Sequence, residues 1–220
     1  MNVLSLFDGM SCGRIALERA NIDVGTYYAS EIDKWTTIVS EANYPDIIRM
    51  GDVTKWREWD IDWASIDLLI GGSPCQGFSF AGKQLAFDDP RSKLFFVYVD
   101  ILNHIRSVNP GVKFLLENVK MKKDFEQYIT HHTEQALGRV EKTLINSALV
   151  SAQNRQRYYW TNFEVTQPEN KGILLKDIIE TESDVRYMVN QDALPRYTDE
   201  NGKVKGFRDG DQKSNCLTAS

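Results

Sequence analysis

The chain is 220 residues long, 42% hydrophobic and 26% charged, which is the composition of an ordinary globular protein with length enough for one core and a small appendage. No apolar run approaches the roughly 20 residues that cross a bilayer, and the opening Val3-Leu4-Ser5-Leu6-Phe7 has neither the basic flank nor the length of a signal peptide. A formal charge of −5 weighs against nucleic acid on average, although a basic cleft can sit inside an acidic whole.

Residues 2–7 read as a buried strand and 8–12 as a turn of small residues, after which Ile15, Ala16 and Leu17 give residues 13–20 a helical packing face. A second strand at 26–31 and a second helix at 34–42 follow, then a short third strand at 46–49 and the turn Gly51-Asp52-Val53. Residues 66–70 form a fourth strand. Leu94, Phe95, Val97, Tyr98, Ile101, Leu102 and Ile105 then recur at helical spacing, which predicts a long amphipathic helix over 92–107. A fifth strand spans 113–117, a helix 125–137, and two aromatic or β-branched stretches at 139–145 and 157–163 lie close enough to pair as a hairpin. Strand–helix alternation of this kind implies a mostly parallel, doubly wound α/β sheet with an antiparallel edge. Beyond residue 164 the character changes: 172–180 could hold a short helix, and 184–220 is polar and turn-rich, so a boundary is expected near residue 170.

Ligands in open α/β sheets collect at the carboxyl ends of the strands. At the first of these ends, Phe7-Asp8-Gly9-Met10-Ser11-Cys12-Gly13 lets backbone approach a ligand beside a helix N-terminus, yet it matches neither the dinucleotide fingerprint nor a phosphate loop. A tight connection with no ligand explains this segment equally well. Glu31 closes the second strand, where an acidic side chain can accept from a ribose diol. Ile32 beside it offers an apolar face to a flat base, and Asp52 an acceptor for an exocyclic amine. Each is weak alone, since carboxylates also cap helices and turns; together they suit a nucleoside without phosphate.

The fourth strand runs into Gly71-Gly72-Ser73-Pro74-Cys75-Gln76-Gly77-Phe78-Ser79. That loop holds one thiol at a strand end, as a nucleophile requires, and a packed small hydrophobe would look the same. Cys12, Cys75 and Cys216 are odd in number and widely spaced, so they make no disulfide framework and no zinc site, and a reducing cytosolic setting follows. Glu117-Asn118 closes the fifth strand, where burial favours a carboxyl able to donate a proton, or else a Glu satisfied by an arginine. In Gln153-Asn154-Arg155-Gln156-Arg157, strand alternation would put Gln153, Arg155 and Arg157 on one face, available to Glu117, to phosphate or simply to solvent.

In this order the segments resemble the DNA cytosine-5-methyltransferase family. The matching pieces are Leu6-Phe7-Asp8-Gly9, Glu31, Gly51-Asp52-Val53, Gly72-Ser73-Pro74-Cys75-Gln76, Glu117-Asn118-Val119 and Gln153-x-Arg155-x-Arg157. The Gln after the cysteine is typical of bacterial and phage members, while Leu4-Ser5-Leu6-Phe7-Asp8-Gly9 is similar to the animal de novo branch. The resemblance is strong over residues 1–165 and faint beyond. It implies a Rossmann-like class I fold that uses S-adenosyl-L-methionine and releases S-adenosyl-L-homocysteine. It assigns the cofactor to Phe7, Asp8, Gly9, Met10, Cys12, Glu31, Ile32, Asp52, Val53, Pro74 and Leu94.

The same resemblance implies that the Cys75 thiolate adds to carbon-6 of a cytosine extruded from duplex DNA, which makes carbon-5 nucleophilic. Glu117 would hold the amino edge and protonate nitrogen-3. Arg155 and Arg157 would share the work of orienting Glu117, contacting the base carbonyl and anchoring phosphate. Gln76, Ser79, Lys83 and Gln153 would touch DNA, with residues 76–83 as a loop closing over the base and Arg91, Lys93, Lys120, Lys122 and Lys123 adding positive charge. The implied setting is the cytoplasm of a bacterium or phage-infected cell, with no membrane partner and with a restriction endonuclease as genetic partner.

Family members continue past Asn215-Cys216-Leu217-Thr218-Ala219-Ser220 with a target-recognition region and an Asn-bearing segment at the cofactor pocket. The expectation is therefore a catalytic domain over 1–170, the start of a recognition region over 171–220, and a C-terminal part that is truncated or supplied in trans. The alternatives are a non-catalytic methyltransferase-like module that binds DNA or a partner, and the tRNA-methylating relative, which usually shows a different triplet after the proline–cysteine pair.

Overall fold

The computed structural model describes residues 1–74 and 92–179. Their strands are β1 (Val3–Leu6), β2 (Tyr27–Ser30), β3 (Ile48–Arg49), β4 (Leu68–Gly71), β5 (Lys113–Val119), β6 (Glu141–Asn146) and β7 (Gln156–Thr161). Their helices are α1 (Cys12–Arg19), α2 (Lys34–Asn43), α3 (Ser92–Val108) and α4 (Lys123–Leu137). The seven strands make one sheet in the order β3-β2-β1-β4-β5-β7-β6. β1 to β5 are parallel where they pair, and β7 runs antiparallel to β5. This is the mostly parallel, doubly wound sheet with an antiparallel edge that the alternation predicted. The order of the strands reverses between the parallel neighbours β1 and β4, and such a switch point leaves a crevice at the carboxyl ends of the central strands.

Register explains the core. Leu4 stands opposite Leu69, Leu69 opposite Phe114, and Leu116 opposite Trp160, all fully shielded on one face of the sheet. Phe95, Tyr98, Ile101, Leu102 and Ile105 of α3 and Ile129 of α4 pack onto that face. The other face gathers Val3, Tyr27, Ala29 and Leu68 with Leu17 of α1. Parallel strands covered on both faces read as continuous apolar runs, and all four residues of β1 are buried accordingly.

Several element boundaries differ from the sequence reading, for local reasons. α1 starts at Cys12, one residue early. β5 continues to Val119 instead of stopping at Glu117, because β7 pairs along it as far as Val119 opposite Arg157. Val53–Glu58 forms a 3₁₀ turn that periodicity gave no sign of, capped by Asp52. The short helix expected over 172–180 is, in its described part, a single 3₁₀ turn at Leu175–Asp177. Residues 184–220 lie outside the described residues.

The chain forms two compact units. The first comprises Met1–Leu144 with Arg157–Thr166; the second comprises Ile145–Gln156 with the described residues from Gln167 onward. The second unit has its own hydrogen bonds: Ser147 N–H donates to Arg155 O at 3.0 Å, and Lys171 N–H to Leu149 O at 2.7 Å. No helix among the described residues is long and apolar enough to cross a membrane.

Candidate active site

Residues 7–11 leave β1 through a backbone that few sequences tolerate. Phe7, Gly9 and Ser11 all have left-handed φ, at 58°, 59° and 61°. Glycine adopts this region freely, whereas Phe and Ser must be held there by neighbours. Asp8 is the chief holder. Its amide donates to Ser30 O at 3.1 Å. Its carboxylate accepts from Ser11 Oγ at 2.5 Å and from the Tyr27 hydroxyl at 2.8 Å. Burial, reinforced by the Asp8 charge, pushes the Tyr27 hydroxyl far up, so it remains a donor. The Asp8 carboxylate is thus engaged inside the protein and shapes the loop.

Ser11 is the N-cap of α1, yet its side chain makes no capping bond because its hydroxyl turns to Asp8. The first-turn amides of α1 therefore keep their positive potential toward the crevice. Met10 and the Cys12 thiol are exposed beside them.

Glu31, just past β2, draws the second segment onto the first. Its Oε2 accepts from Gly9 N–H at 2.8 Å, while Oε1 accepts from the amides of Ile32 at 2.7 Å and Asp33 at 2.8 Å. Oε2 retains a lone pair for one more donor. Ile32 is 78% exposed, an apolar surface with no core to fill. A third segment joins through Ser30 Oγ, which donates to Gly51 O at 2.7 Å. Asp52 accepts from the Thr54 amide at 2.9 Å and hydroxyl at 2.8 Å, both on Oδ1, which leaves Oδ2 open among the described residues. The Thr54 amide is the main reason its carboxyl titrates below the ordinary range. Val53 is buried in the main core. Leu94 of α3 is partly buried against that core.

The second cluster lies at the ends of β4 and β5. A Cβ placed on Gly72 would come within 2.9 Å of Glu117 Oε2, so glycine is what lets the β4 loop lie against this carboxylate. Arg157 Nε stands 2.9 Å from Glu117 Oε1, an ion pair only partly open to solvent. The next residue, Asn118, is 2% exposed, and its Nδ2 donates to Ser73 O at 3.4 Å. Glu117 is therefore held beside Gly72-Ser73-Pro74, directly before Cys75 in sequence.

Cys75, Gln76, Ser79, Lys83 and Arg91 lie outside the described residues. Gln153 and Arg155 precede β7 in the second unit, where Arg155 N–H donates to Asn146 Oδ1 at 3.0 Å and Ser147 Oγ donates to Gln153 O at 2.8 Å. Lys93, Lys120, Lys122 and Lys123 are exposed. The sequence reading missed Ser11, Tyr27, Ser40 and Arg49 as participants. No motif marks them: Ser11 meets Asp8 within its own loop, and the links through Tyr27, Ser40 and Arg49 form only between elements distant in sequence.

Comparison with known proteins adds an independent line. The model of the C-5 cytosine-specific DNA methylase family matches residues 1–216. Among curated proteins, the type II methyltransferase M1.ScrFI of Lactococcus lactis subsp. cremoris is 33% identical over 93% of this chain and 56% of its own length. The type II methyltransferase M.HhaI of Haemophilus parahaemolyticus is 30% identical over 86% of this chain and 60% of its own. The chain thus spans a little over half the length of these curated relatives. Among solved structures, the S. pombe Dnmt2 methyltransferase superposes with a TM-score of 0.71 at 22% identity, over 99% of this chain and 72% of that one.

Proposed function

The chain belongs to the C-5 cytosine-specific DNA methylase family, and from that premise we propose that it transfers a methyl group from S-adenosyl-L-methionine to carbon-5 of a cytosine in double-stranded DNA. The observation that carries this reading is the contact of Glu117 with Gly72 on one side and Arg157 on the other. A carboxyl group and the cation paired with it thus lie beside Gly72, three residues before Cys75.

The described residues of the first cluster fit the cofactor. Glu31 Oε2 has room for a ribose hydroxyl, Ile32 offers an exposed apolar face to adenine, and Asp52 Oδ2 is open to an exocyclic amine. The uncapped start of α1 suits the carboxylate of a methionine moiety. When bound, S-adenosyl-L-methionine supplies an electrophilic methyl group, and S-adenosyl-L-homocysteine is the product.

Carbon-5 of cytosine is a poor nucleophile, and the protein's task is to change that. The thiolate of Cys75 forms a bond to carbon-6 while Glu117 delivers a proton to nitrogen-3, so the ring's added electron density reaches carbon-5 without a full anion. Arg157 holds Glu117 in place. Once carbon-5 is methylated, a base removes its proton, the bond to Cys75 breaks and nitrogen-3 returns its proton to Glu117, which restores the ring, the thiolate and the carboxyl group. Arg155 and Gln153 serve the base or the strand, and Gln76, Ser79 and Lys83 the DNA. Residues 1–170 form the catalytic part, with 171–220 beginning the recognition region. The type II names of the relatives favour work in a bacterial or phage-infected cytoplasm, with a restriction endonuclease as genetic partner.

Transfer of tritium-labelled methyl groups tests the reading, with duplex DNA and tRNA as parallel substrates. Labelling of DNA alone, its loss in Cys75→Ala, and a covalent complex on DNA carrying 5-fluorocytosine are the expected results. Labelling of tRNA alone would overturn the choice of nucleic acid. Binding of DNA with neither labelling nor a trapped complex would make the chain a binding module.

A further inference from the structure

α2 buries one residue completely, and that residue is Ser40. Its large apolar side chains face solvent instead: Trp35 is 71%, Ile38 45% and Val39 43% exposed. A helix ordinarily docks through an apolar stripe, so here a hydroxyl does much of the work of fixing the helix to the sheet.

Ser40 Oγ accepts from Arg49 Nη1 of β3 at 2.7 Å and shares a hydrogen bond with Ser11 Oγ. Ser11 Oγ donates to Asp8 Oδ2. A hydroxyl carries one proton. That of Ser11 goes to Asp8, so the proton between the two serines belongs to Ser40. The polarity of the chain is thereby fixed: the Arg49 cation, Ser40, Ser11, the Asp8 anion. Each donor polarises the next, and both ends are charged. Ser11 and Ser40 are fully buried, so no water competes within the relay.

The relay joins two stretches with separate places in the crevice. At one end is the 7–11 loop, where Phe7 and Ser11 occupy left-handed backbone that persists only when the surroundings over-determine it. At the other end Arg49 closes β3, one residue short of the Gly51-Asp52 turn. We infer that Ser11, Ser40 and Arg49 are positioning residues for the cofactor: through α2 they hold the 7–11 loop in its bound shape and set its register against Asp52. The inference rests on the reading of this crevice as the cofactor site. None of the three acts on the reacting atoms.

The test uses the 220-residue chain, with S-adenosyl-L-homocysteine titrated calorimetrically and amide exchange followed at Gly9 and Ser11, whose N–H groups donate to Glu31 and Asp8. Ser40→Ala and Arg49→Ala should weaken binding about tenfold or more and speed exchange at both amides. Arg49→Lys should recover most of the affinity, since an ammonium still donates to Ser40. Ser11→Gly removes the hydroxyl while relieving the left-handed backbone, so it tests the relay at least risk to folding. In turnover, KM for the methyl donor should rise while kcat stays within about twofold. Wild-type affinity and exchange in Ser40→Ala and Arg49→Ala overturn the inference. So does a binding loss no larger than the unfolded fraction seen by circular dichroism, which would make the network a support of the fold alone. A wild-type chain that takes up no S-adenosyl-L-homocysteine overturns the cofactor reading instead, and exchange at Gly9 and Ser11 then decides whether the relay holds the loop.

Discussion

Gly72 shows how narrowly a single residue can set this site. Its missing side chain leaves the space that Glu117 Oε2 occupies, 2.9 Å from where a Cβ would be. Gly72→Ala must displace the end of the Glu117 side chain, which Arg157 also holds, by about half an ångström, and where ~1 Å costs about 100-fold in rate a displacement of that size costs about tenfold. The expected outcome is a methyl-transfer rate lower by about that factor with little change in thermal midpoint, read by labelled-methyl kinetics beside a melting curve. An unchanged rate would show that Glu117 does not need its observed position. At this scale the sequence was informative about identity and silent about engagement. Glu31, Asp52 and Glu117 were legible as carboxylates at or just after strands, because that is a matter of position along the chain. That the Asp8 carboxylate turns inward to Tyr27 and Ser11 was not legible, because those partners stand 19 and 3 residues away and only one of them is local.

Helix caps and strand pairings carry the next level. Asp33 caps α2, accepting from the Thr36 amide at 2.8 Å and the Trp35 amide at 3.0 Å. The Thr36 amide is the largest reason that its carboxyl titrates below the ordinary value. A depressed folded-state pKa means that the cap's contribution is complete above the unfolded carboxyl value and is lost as pH falls through the folded one. Acidification below about pH 4 should therefore loosen the start of α2, seen as shifts of the Trp35 and Thr36 amide resonances. Asp33→Asn should cap without that titration. On the antiparallel side, Trp160 of β7 is fully buried, and its indole N–H donates to Thr130 Oγ1 of α4 at 2.8 Å. Trp160→Ala should lower stability by about 3–5 kcal/mol, measured as a lower urea midpoint at unchanged slope. α2 was placed without a report from its own burial, its Trp35, Ile38 and Val39 being exposed and its Ser40 buried, whereas α3 and most strands were legible as periodicity, since each reports which of its own residues are buried. The last two residues of β5 were not, because they are strand only through pairing with β7. The 3₁₀ turn at Val53–Glu58 escaped for a related reason: Trp56 is buried by core contacts that its neighbours in sequence do not announce.

For the molecule as a whole, ligand binding and folding are one equilibrium. A ligand that binds only the folded chain stabilises it by about 2.7 kcal/mol at 100 times its dissociation constant. S-adenosyl-L-homocysteine at that concentration should raise the thermal midpoint by roughly 5–10 °C for a chain of this size, and scanning calorimetry would show it. A midpoint indifferent to the ligand would count against the cofactor site. The order of the strand-end segments, the α/β alternation and the resemblance they carry were all determined by the sequence, because each is written in a short stretch or in the succession of stretches. Tertiary structure alone decided the rest. Antiparallel insertion of β7 beside β5 sets Arg157 against Glu117, and the meeting of α1, α2 and β3 closes the relay from Arg49 to Asp8. The physical reason is the same in both cases. Periodicity records how one segment divides its residues between core and solvent, whereas a hydrogen bond or ion pair between distant segments depends on sheet order and register, which no single segment contains.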